Sequence, residues 1–180
     1  MDFEPFPKLL RLSKDWTVTE KLDGTNAQIL ITPEGHIQAG SRNRFIFPDA
    51  DNYGFAKWVE RNREDLLQLG PGRHFGEWYG LGIQRGYGLP EKRFALFDAF
   101  RWGQNPNRPS CCETVPILFQ GYGGDLQFLA DCMEDLRVGG SRAVPGFMNP
   151  EGLVAFHRAS GLMFKKTFEY DEAGKWAATA

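Results

Sequence analysis

The chain has 180 residues and a formal net charge of -2, with 42% hydrophobic and 14% aromatic residues. This composition supports a packed core and argues against disorder, and the length suits one domain, which we assign to residues 1–180. No apolar run approaches the roughly 18 residues of a membrane span, so no membrane partner is expected.

Cysteine usage and the N-terminus indicate a cytoplasmic protein. The three cysteines, two of them adjacent, form neither a disulfide framework nor a Cys-x-x-Cys metal site. Residues 1–5 lack the basic and apolar regions of a signal peptide. We therefore predict a reduced protein of the cytoplasm.

The charge balance restricts where nucleic acid can bind. Phosphate binding needs cationic side chains, so a basic surface on a slightly acidic chain must be local. Arg42 and Arg44 form one candidate patch, and the alternative is an ordinary solvated face. A second candidate patch with the same alternative consists of Lys92, Arg93, Arg101 and Arg108.

The first predicted elements surround an Asp-Gly pair. Residues 1–14 are predicted to be a lead-in that packs against the domain, and residues 16–19 are rich in β-branched and aromatic types, which favours a strand. Asp23-Gly24 is a strong turn signal, and residues 28–31 resume the strand pattern. We therefore predict a hairpin with Lys21 held at a strand end.

The later elements alternate between strands and isolated helices. The expected strands are residues 36–39, 73–80, 93–100, 115–119, 151–156 and 162–168, with a glycine-rich loop up to Gly88 and a polar tail over 169–180. Apolar residues at helical spacing predict a helix over 54–69, capped by Asp51 or Asn52. A second helix is capped by Asp125, with Leu126, Leu129, Met133 and Leu136 on one face and Gly139-Gly140 at its end. Without regular βαβ alternation, a mainly antiparallel α+β fold follows.

Asp98 stands out within this pattern because it lies in the middle of a strand predicted to be buried on both faces. A buried carboxylate is costly unless it is paired or bound to a ligand. Asp98 is therefore expected to be either satisfied structurally or functional.

The stretch Glu20-Lys21-Leu22-Asp23-Gly24-Thr25-Asn26 resembles the Lys-x-Asp-Gly motif of the covalent nucleotidyltransferases, which include RNA ligases, DNA ligases and mRNA capping enzymes. Five later segments resemble the motifs that follow in that superfamily, in order: Ser41-Arg42-Asn43, Phe75–Gly80, Phe94–Asp98, Glu151–Val154 and Phe164–Lys166. The resemblance covers residues 20–168. It implies the nucleotidyltransferase (adenylation) domain of the ATP-grasp-like DNA and RNA ligase type.

The resemblance also implies roles for individual residues. Lys21 would attack the α-phosphorus of ATP and form a lysyl-AMP. Arg42, with Arg44 as substitute, would bind a phosphate or a 5′ end, and Glu77 would bind the ribose hydroxyls. The implied nucleotide-binding set is Glu20, Asp23, Gly24, Asn26, Arg42, Glu77, Phe97, Glu151, Lys165 and Lys166.

Several of these assignments leave alternatives open. Glu77 could be a surface strand carboxylate, and Glu151 a turn carboxylate before Gly152. Phe97 would stack on the purine, but Phe94 and Phe100 share its predicted strand, so ordinary core is the alternative. Lys165 and Lys166 are adjacent and would point to opposite faces of a strand, so only one of them can face the nucleotide. Lys165 is preferred.

A divalent cation belongs to the same scheme. Mg²⁺ or Mn²⁺ would be held by Asp23, Glu77 and Glu151, often through water, as Mg²⁺ favours oxygen-rich and partly hydrated sites. Together with Lys165 or Lys166, the metal would neutralise the α-phosphate that the amine approaches.

The branch indicated is that of the RNA ligases, because Asn26 stands where DNA ligases and capping enzymes usually carry arginine. The expected function is ATP-dependent sealing of RNA ends, with AMP passed to a 5′-phosphate before a 3′-hydroxyl attacks. Twelve residues follow Phe168, too few for a C-terminal OB-fold domain, so a separate partner protein or domain stays an open question. The alternatives are a minimal DNA ligase that acts on DNA ends and a non-catalytic nucleotide- or end-binding module.

Overall fold

The computed structural model, which describes residues 2–169, contains two β-sheets. The four-stranded sheet has the order β7 (Ile117–Gly123), β1 (Lys14–Lys21), β8 (Gly152–His157) and β9 (Leu162–Thr167). The five-stranded sheet has the order β3 (Ile37–Ser41), β2 (Thr25–Ile31), β4 (Gly72–Gly80), β5 (Lys92–Leu96) and β6 (Cys112–Thr114). All neighbouring strands are antiparallel except β5 and β6. The predicted α+β class with mainly antiparallel sheets is confirmed.

The side chains of strand β1 alternate between a face that packs in the core and a face, here called the cavity face, that borders the cavity described below. Trp16, Val18 and Glu20 are buried, whereas the residues between them are half-buried, which is the period of two that a strand produces. Trp16 and Val18 pack with Phe128 and Met133 of helix α4 (Gln127–Gly139). Because α4 covers one face of the four-stranded sheet, the opposite face is left for the cavity described below.

The five-stranded sheet is covered by helices α1 (Phe55–Arg61) and α2 (Arg63–Leu66), followed by the 3₁₀ turn Leu67–Leu69. The predicted continuous helix over 54–69 is wrong, because Asn62 interrupts it. Its side-chain amide donates to Trp58 O at 2.8 Å, a local bond that competes with helix geometry. The N-cap residue is Gly54 and not Asp51 or Asn52, but the Asp51 carboxylate still accepts from Ala56 N in the first turn at 2.7 Å.

The predicted hairpin around Lys21 is also wrong, because β1 and β2 belong to different sheets. The three residues between them carry the chain from one sheet to the other. Leu22 is buried beside Tyr79, and Gly24 lies so close to β4 that a Cβ on it would be 2.4 Å from Trp78 O. The Asp-Gly signal marked a crossover, whose path is fixed by tertiary packing that the local sequence does not encode.

The strand predicted over 93–100 ends at Leu96, and Asp98 is exposed instead of buried. Its Oδ1 accepts from Arg101 N at 3.0 Å, so it caps the short helix α3 (Ala99–Trp102). A short acidic side chain is favoured at a helix N-terminus, where it satisfies an unpaired backbone N–H. This capping bond accounts for Asp98.

Three smaller expectations have mixed outcomes. Asp125 Oδ1 accepts from Gln127 N at 3.1 Å, as predicted for a cap of α4, but Leu126 precedes the helix and is partly exposed. The lead-in does not pack as expected, since Leu9 is 80% exposed. Of the predicted polar tail over 169–180, residues 170–180 lie outside the residues that the structure describes. Among residues 2–169 the structure has no helix of the length and apolarity that crossing a membrane requires.

Candidate functional site

A cavity of about 580 Å³ lies between the cavity face of the four-stranded sheet and one face of the five-stranded sheet. Its walls come from both sheets and from the segment around α3. The lining residues are Thr17, Thr19, Glu20, Lys21, Leu22, Asn26, Arg42, Glu77, Phe97, Asp98, Ala99, Phe100, Val115, Val154, Phe156, Arg158 and Met163. Six residues of the predicted set, namely Glu20, Lys21, Asn26, Arg42, Glu77 and Phe97, therefore line one cavity.

The amine of Lys21 is held by Glu151. Lys21 ends β1 and pairs with Gly152 at the start of β8, so the strand ladder places the residue before Gly152 next to the lysine. Lys21 Nζ donates to Glu151 Oε2 at 2.6 Å, with side-chain exposures of 26% and 18%. The predicted nucleophile and a predicted acidic residue thus form a partly exposed ion pair.

Glu77 is the centre of a hydrogen-bonded chain. Its Oε1 accepts from Gly24 N at 3.1 Å and its Oε2 from Asn26 Nδ2 at 3.0 Å. Asn26 Oδ1 in turn accepts from Arg42 Nε at 3.1 Å. Four predicted residues are therefore joined, and the two bonds of Asn26 fix the orientation of its amide.

Burial raises the pKa of Glu77 to about 7, although the hydrogen bond from Asn26 and the charge of Lys21 act in the opposite direction. The carboxyl group therefore binds a proton more readily in the folded protein than its usual value of 4.5 allows.

Because the pKa of Glu77 differs between the folded and unfolded states, we expect the free energy of unfolding to depend on pH. Between pH 4.5 and about 7 the native state binds a proton that the unfolded state has released, so unfolding free energy falls as the pH rises through this window. In the Glu77→Gln variant this decrease in the free energy of unfolding, about 3 kcal/mol in the wild type, should be absent. Urea unfolding at pH 5 and pH 8 measures it, and the same pH dependence in both proteins would contradict it.

The phenylalanines near the cavity divide into two groups. Phe94 is fully buried in the core with Phe55, whereas Phe97 and Phe100 line the cavity and are 42% and 66% exposed. Val154, on the four-stranded sheet, lines the same cavity. Of the residues that shared the predicted strand, Phe97 is thus available to a planar ligand and Phe94 is not.

Asp23 is bound by residues that were not predicted. Arg85 Nε donates to Asp23 Oδ2 at 2.9 Å, and Asp23 N donates to the Tyr87 hydroxyl at 2.8 Å. Within residues 2–169, no group of three or more histidine, cysteine or carboxylate side chains is arranged to hold a metal ion. The carboxylates of Asp23, Glu77 and Glu151 therefore do not form a ready-made metal cluster.

Glu20 lines the cavity, but its side chain lies on the core face of β1, opposite to Lys21. Its Oε2 accepts from Arg142 N at 2.7 Å and from Ala143 N at 3.0 Å. Burial raises the pKa of this carboxyl group despite these bonds. The carboxylate thus fixes the loop after α4 to the strand that carries the lysine.

The register of β9 distinguishes the two adjacent lysines. Lys165 is opposite Val154, and Lys166 is opposite Leu153. Directly paired residues share a face of an antiparallel sheet. Because Val154 lines the cavity and Leu153 is buried in the core under α4, Lys165 lies on the cavity face.

Several cavity residues were missed by the sequence analysis. Thr17 and Thr19 precede Lys21 at a period of two, and Met163 precedes Lys165 in the same way, so strand alternation was a usable signal. The guanidinium of Arg158 lies 5.1 Å from the Phe100 ring centroid. The two residues are far apart in the chain, so no local sequence pattern predicts this contact.

Comparison with known proteins gave one family and a set of similar folds. The sequence model of the RNA ligase family matches residues 14–168. A Naegleria gruberi RNA ligase variant solved with ATP and Mn superposes with a TM-score of 0.63 at 23% identity, and a second variant with ATP and Mn has 0.62 at 25%. Each match covers 91% of this chain and 52% of the other, so this chain spans about half the length of those proteins. No curated protein sequence matched.

Proposed function

The chain belongs to the RNA ligase family, and from that premise we propose that it is an ATP-dependent RNA ligase that acts through a covalent lysyl-AMP. The observation that supports this is the position of the Lys21 amine at a cavity whose other walls offer Phe97, Asn26 and Glu77. A lysine at the edge of such a cavity is suited to nucleophilic attack on a bound nucleotide.

The cavity suggests how ATP is oriented. The purine stacks on Phe97, with Val154 on the other sheet, and the ribose hydroxyls reach Glu77, whose carboxylate is held by Gly24 N and Asn26. Arg42 donates to Asn26 through Nε, which leaves its other guanidinium donors for a phosphate. The α-phosphate then lies beside Lys21.

The proposed chemistry has three steps. The Lys21 side chain, held by Glu151 Oε2 at 2.6 Å, loses its ammonium proton to water, and the amine attacks the α-phosphorus. A P–N bond forms, the bond to the β-phosphate oxygen breaks, and pyrophosphate leaves. A 5′-phosphate oxygen of RNA then displaces Lys21 from AMP. Finally a 3′-hydroxyl attacks the activated phosphate, loses its proton, and AMP departs.

A divalent cation fits this arrangement as a hydrated ion. Mg²⁺ is commonly bound through one or two carboxylates, water and substrate phosphates, so a three-carboxylate cluster is not required. Glu151, the partly exposed carboxylate beside Lys21, would hold the ion, and Glu77 and Asp23 would assist, although both already accept hydrogen bonds. When bound, Mg²⁺ or Mn²⁺ neutralises negative charge on the phosphates.

Lys165 is expected to act on the nucleotide and Lys166 is not. Lys165→Ala should lower the rate of lysine adenylation by about 100-fold, since it removes a cation that neutralises the α-phosphate approached by the Lys21 amine. Lys166→Ala, one residue away on the other face of the same strand, is the matched control and should change the rate less than about threefold. Single-turnover adenylation with labelled ATP measures both, and a larger loss for Lys166→Ala would overturn the assignment.

The experiment that tests the function is intact-mass analysis after incubation with ATP and Mg²⁺, followed by a sealing assay on 5′-phosphorylated RNA and DNA. A single AMP adduct and sealing of RNA are expected. An adduct with sealing of DNA alone would favour a minimal DNA ligase. No adduct with ATP, GTP, dATP or NAD⁺ would favour a binding module. Location in the cytoplasm and any partner protein stay predictions.

A further inference from the structure

Three phenylalanines stand exposed on the face of the five-stranded sheet that also carries Asn26 and Glu77. Phe97, Phe75 and Phe45 are 42%, 51% and 42% exposed. We call them the aromatic strip. Exposed aromatic side chains gathered on one surface are typical of interaction sites.

The strand register shows that the strip begins at the cavity. Asn26 pairs with Glu77, and the next pair on the same face is Gln28 with Phe75. Phe97, which lines the cavity, donates from its backbone N to Phe75 O at 2.9 Å, so these two phenylalanines are cross-strand neighbours.

The far end of the strip is marked by Arg73. It pairs with Leu30, one step further along the same face, and its guanidinium is 5.8 Å from the Phe45 ring centroid. Four residues along β4 separate Glu77 from Arg73, a distance of roughly 13 Å. The strip therefore leads away from the nucleotide cavity over the open face of the sheet.

The strip is bordered by positive charge that the protein does not neutralise. Arg42, Arg44 and Arg73 are exposed, and among residues 2–169 none of them forms a salt bridge. On a chain of net charge -2, this surface is suited to a polyanion.

We propose that Phe75 and Phe45, the part of the aromatic strip outside the nucleotide cavity, bind unpaired nucleotides of the RNA strand that is being joined, while Phe97 is occupied by the purine. This proposal rests on the ligase function above. Exposed aromatic rings bind single strands by stacking on bases, while arginines beside them contact the phosphates. Bases inside a duplex are already stacked on each other and cannot lie on a phenylalanine in this way. The substrate class is therefore an RNA end with a single-stranded segment, and a fully paired nick is a poorer ligand.

The test compares binding of two probes by fluorescence anisotropy without ATP, so that no reaction occurs. One probe is a 5′-phosphorylated single-stranded RNA, and the other is the same sequence fully paired in a nicked duplex. Phe75→Ala should weaken binding of the single strand about tenfold, a typical loss for one stacked base, and Phe75→Trp should preserve it. Tyr122→Ala, which removes a 66% exposed aromatic from the edge strand β7, is the matched control and should leave binding unchanged.

A second variant tests the charge. Arg44→Gln should reduce the magnitude of the slope of log affinity against log salt concentration by about 0.7, the value for one phosphate contact to a single strand.

The outcomes separate this proposal from the ligase function. Phe75 is not part of the cavity, so AMP adduct formation should be the same in Phe75→Ala and wild type. A normal adduct together with unchanged RNA binding in Phe75→Ala would overturn the strip alone. An equal loss for the nicked duplex would overturn the preference for unpaired ends. No adduct on the wild type would instead count against the ligase function.

Discussion

Lys21→Ala will abolish formation of the AMP adduct, with a loss of at least about 10³-fold in the rate of adenylation. The reason is that alanine leaves no atom to form the P–N bond, while the cavity walls that orient the nucleotide remain. Intact mass after incubation with ATP and Mg²⁺ measures the adduct, and peptide mapping locates it. ATP binding should persist in the variant, because Phe97, Asn26 and Glu77 are unchanged.

Two further variants make this result specific. Lys14→Ala removes an exposed lysine from the other end of the same strand and should form the adduct at the wild-type rate. Lys21→Arg keeps the positive charge beside Glu151 but replaces the nucleophile, and it should form no adduct. Adduct formation by either Lys21 variant would show that another residue carries the AMP.

Gly152→Ala should destabilise the fold by roughly 2 to 5 kcal/mol, which lowers Tm by roughly 10 °C. Gly152 has φ +149, and a Cβ there would lie 2.1 Å from Lys166 O. The backbones of β8 and β9 would have to separate to admit it. Because Glu151 directly precedes β8 and Lys165 lies on β9, the same separation should slow adenylation.

Thermal unfolding followed by circular dichroism measures this effect. Gly139→Ala is the matched control, because Gly139 ends α4 and a Cβ on it would meet no atom within 4 Å. It should leave Tm unchanged or raise it slightly, since alanine is the better helix former. A small shift for Gly152→Ala would contradict the steric argument and imply that β9 adapts.

The kinds of side chain at the candidate site could be predicted from the sequence, because Lys21, Glu77 and Glu151 each lie in a short motif that resembles those of a known superfamily. Strand alternation then placed Lys165 rather than Lys166 on the side of Val154, once the register was known. The α+β class followed from the order of strands and helices alone.

Long-range arrangement was not predictable in the same way. Arg85 is 62 residues from Asp23 in the chain, and the residues around each of them give no indication that the two side chains form an ion pair. The Asp-Gly pair has the same appearance in a hairpin and in a crossover, and the choice was made by contacts with Trp78 and Tyr79. Asp98 was misplaced because the end of a strand and the start of a short helix depend on one capping bond.

The short connection from β1 to β2 links the two sheets next to Lys21. Lys21 is the last residue of β1 and Thr25 the first residue of β2, so this connection consists of Leu22, Asp23 and Gly24 alone. Leu22 is buried and Gly24 is confined by Trp78 O, so these two residues have little room to change conformation. Asp23 is therefore the residue of this connection whose backbone torsions are freest to change, and its bonds to Arg85 and Tyr87 restrict that change.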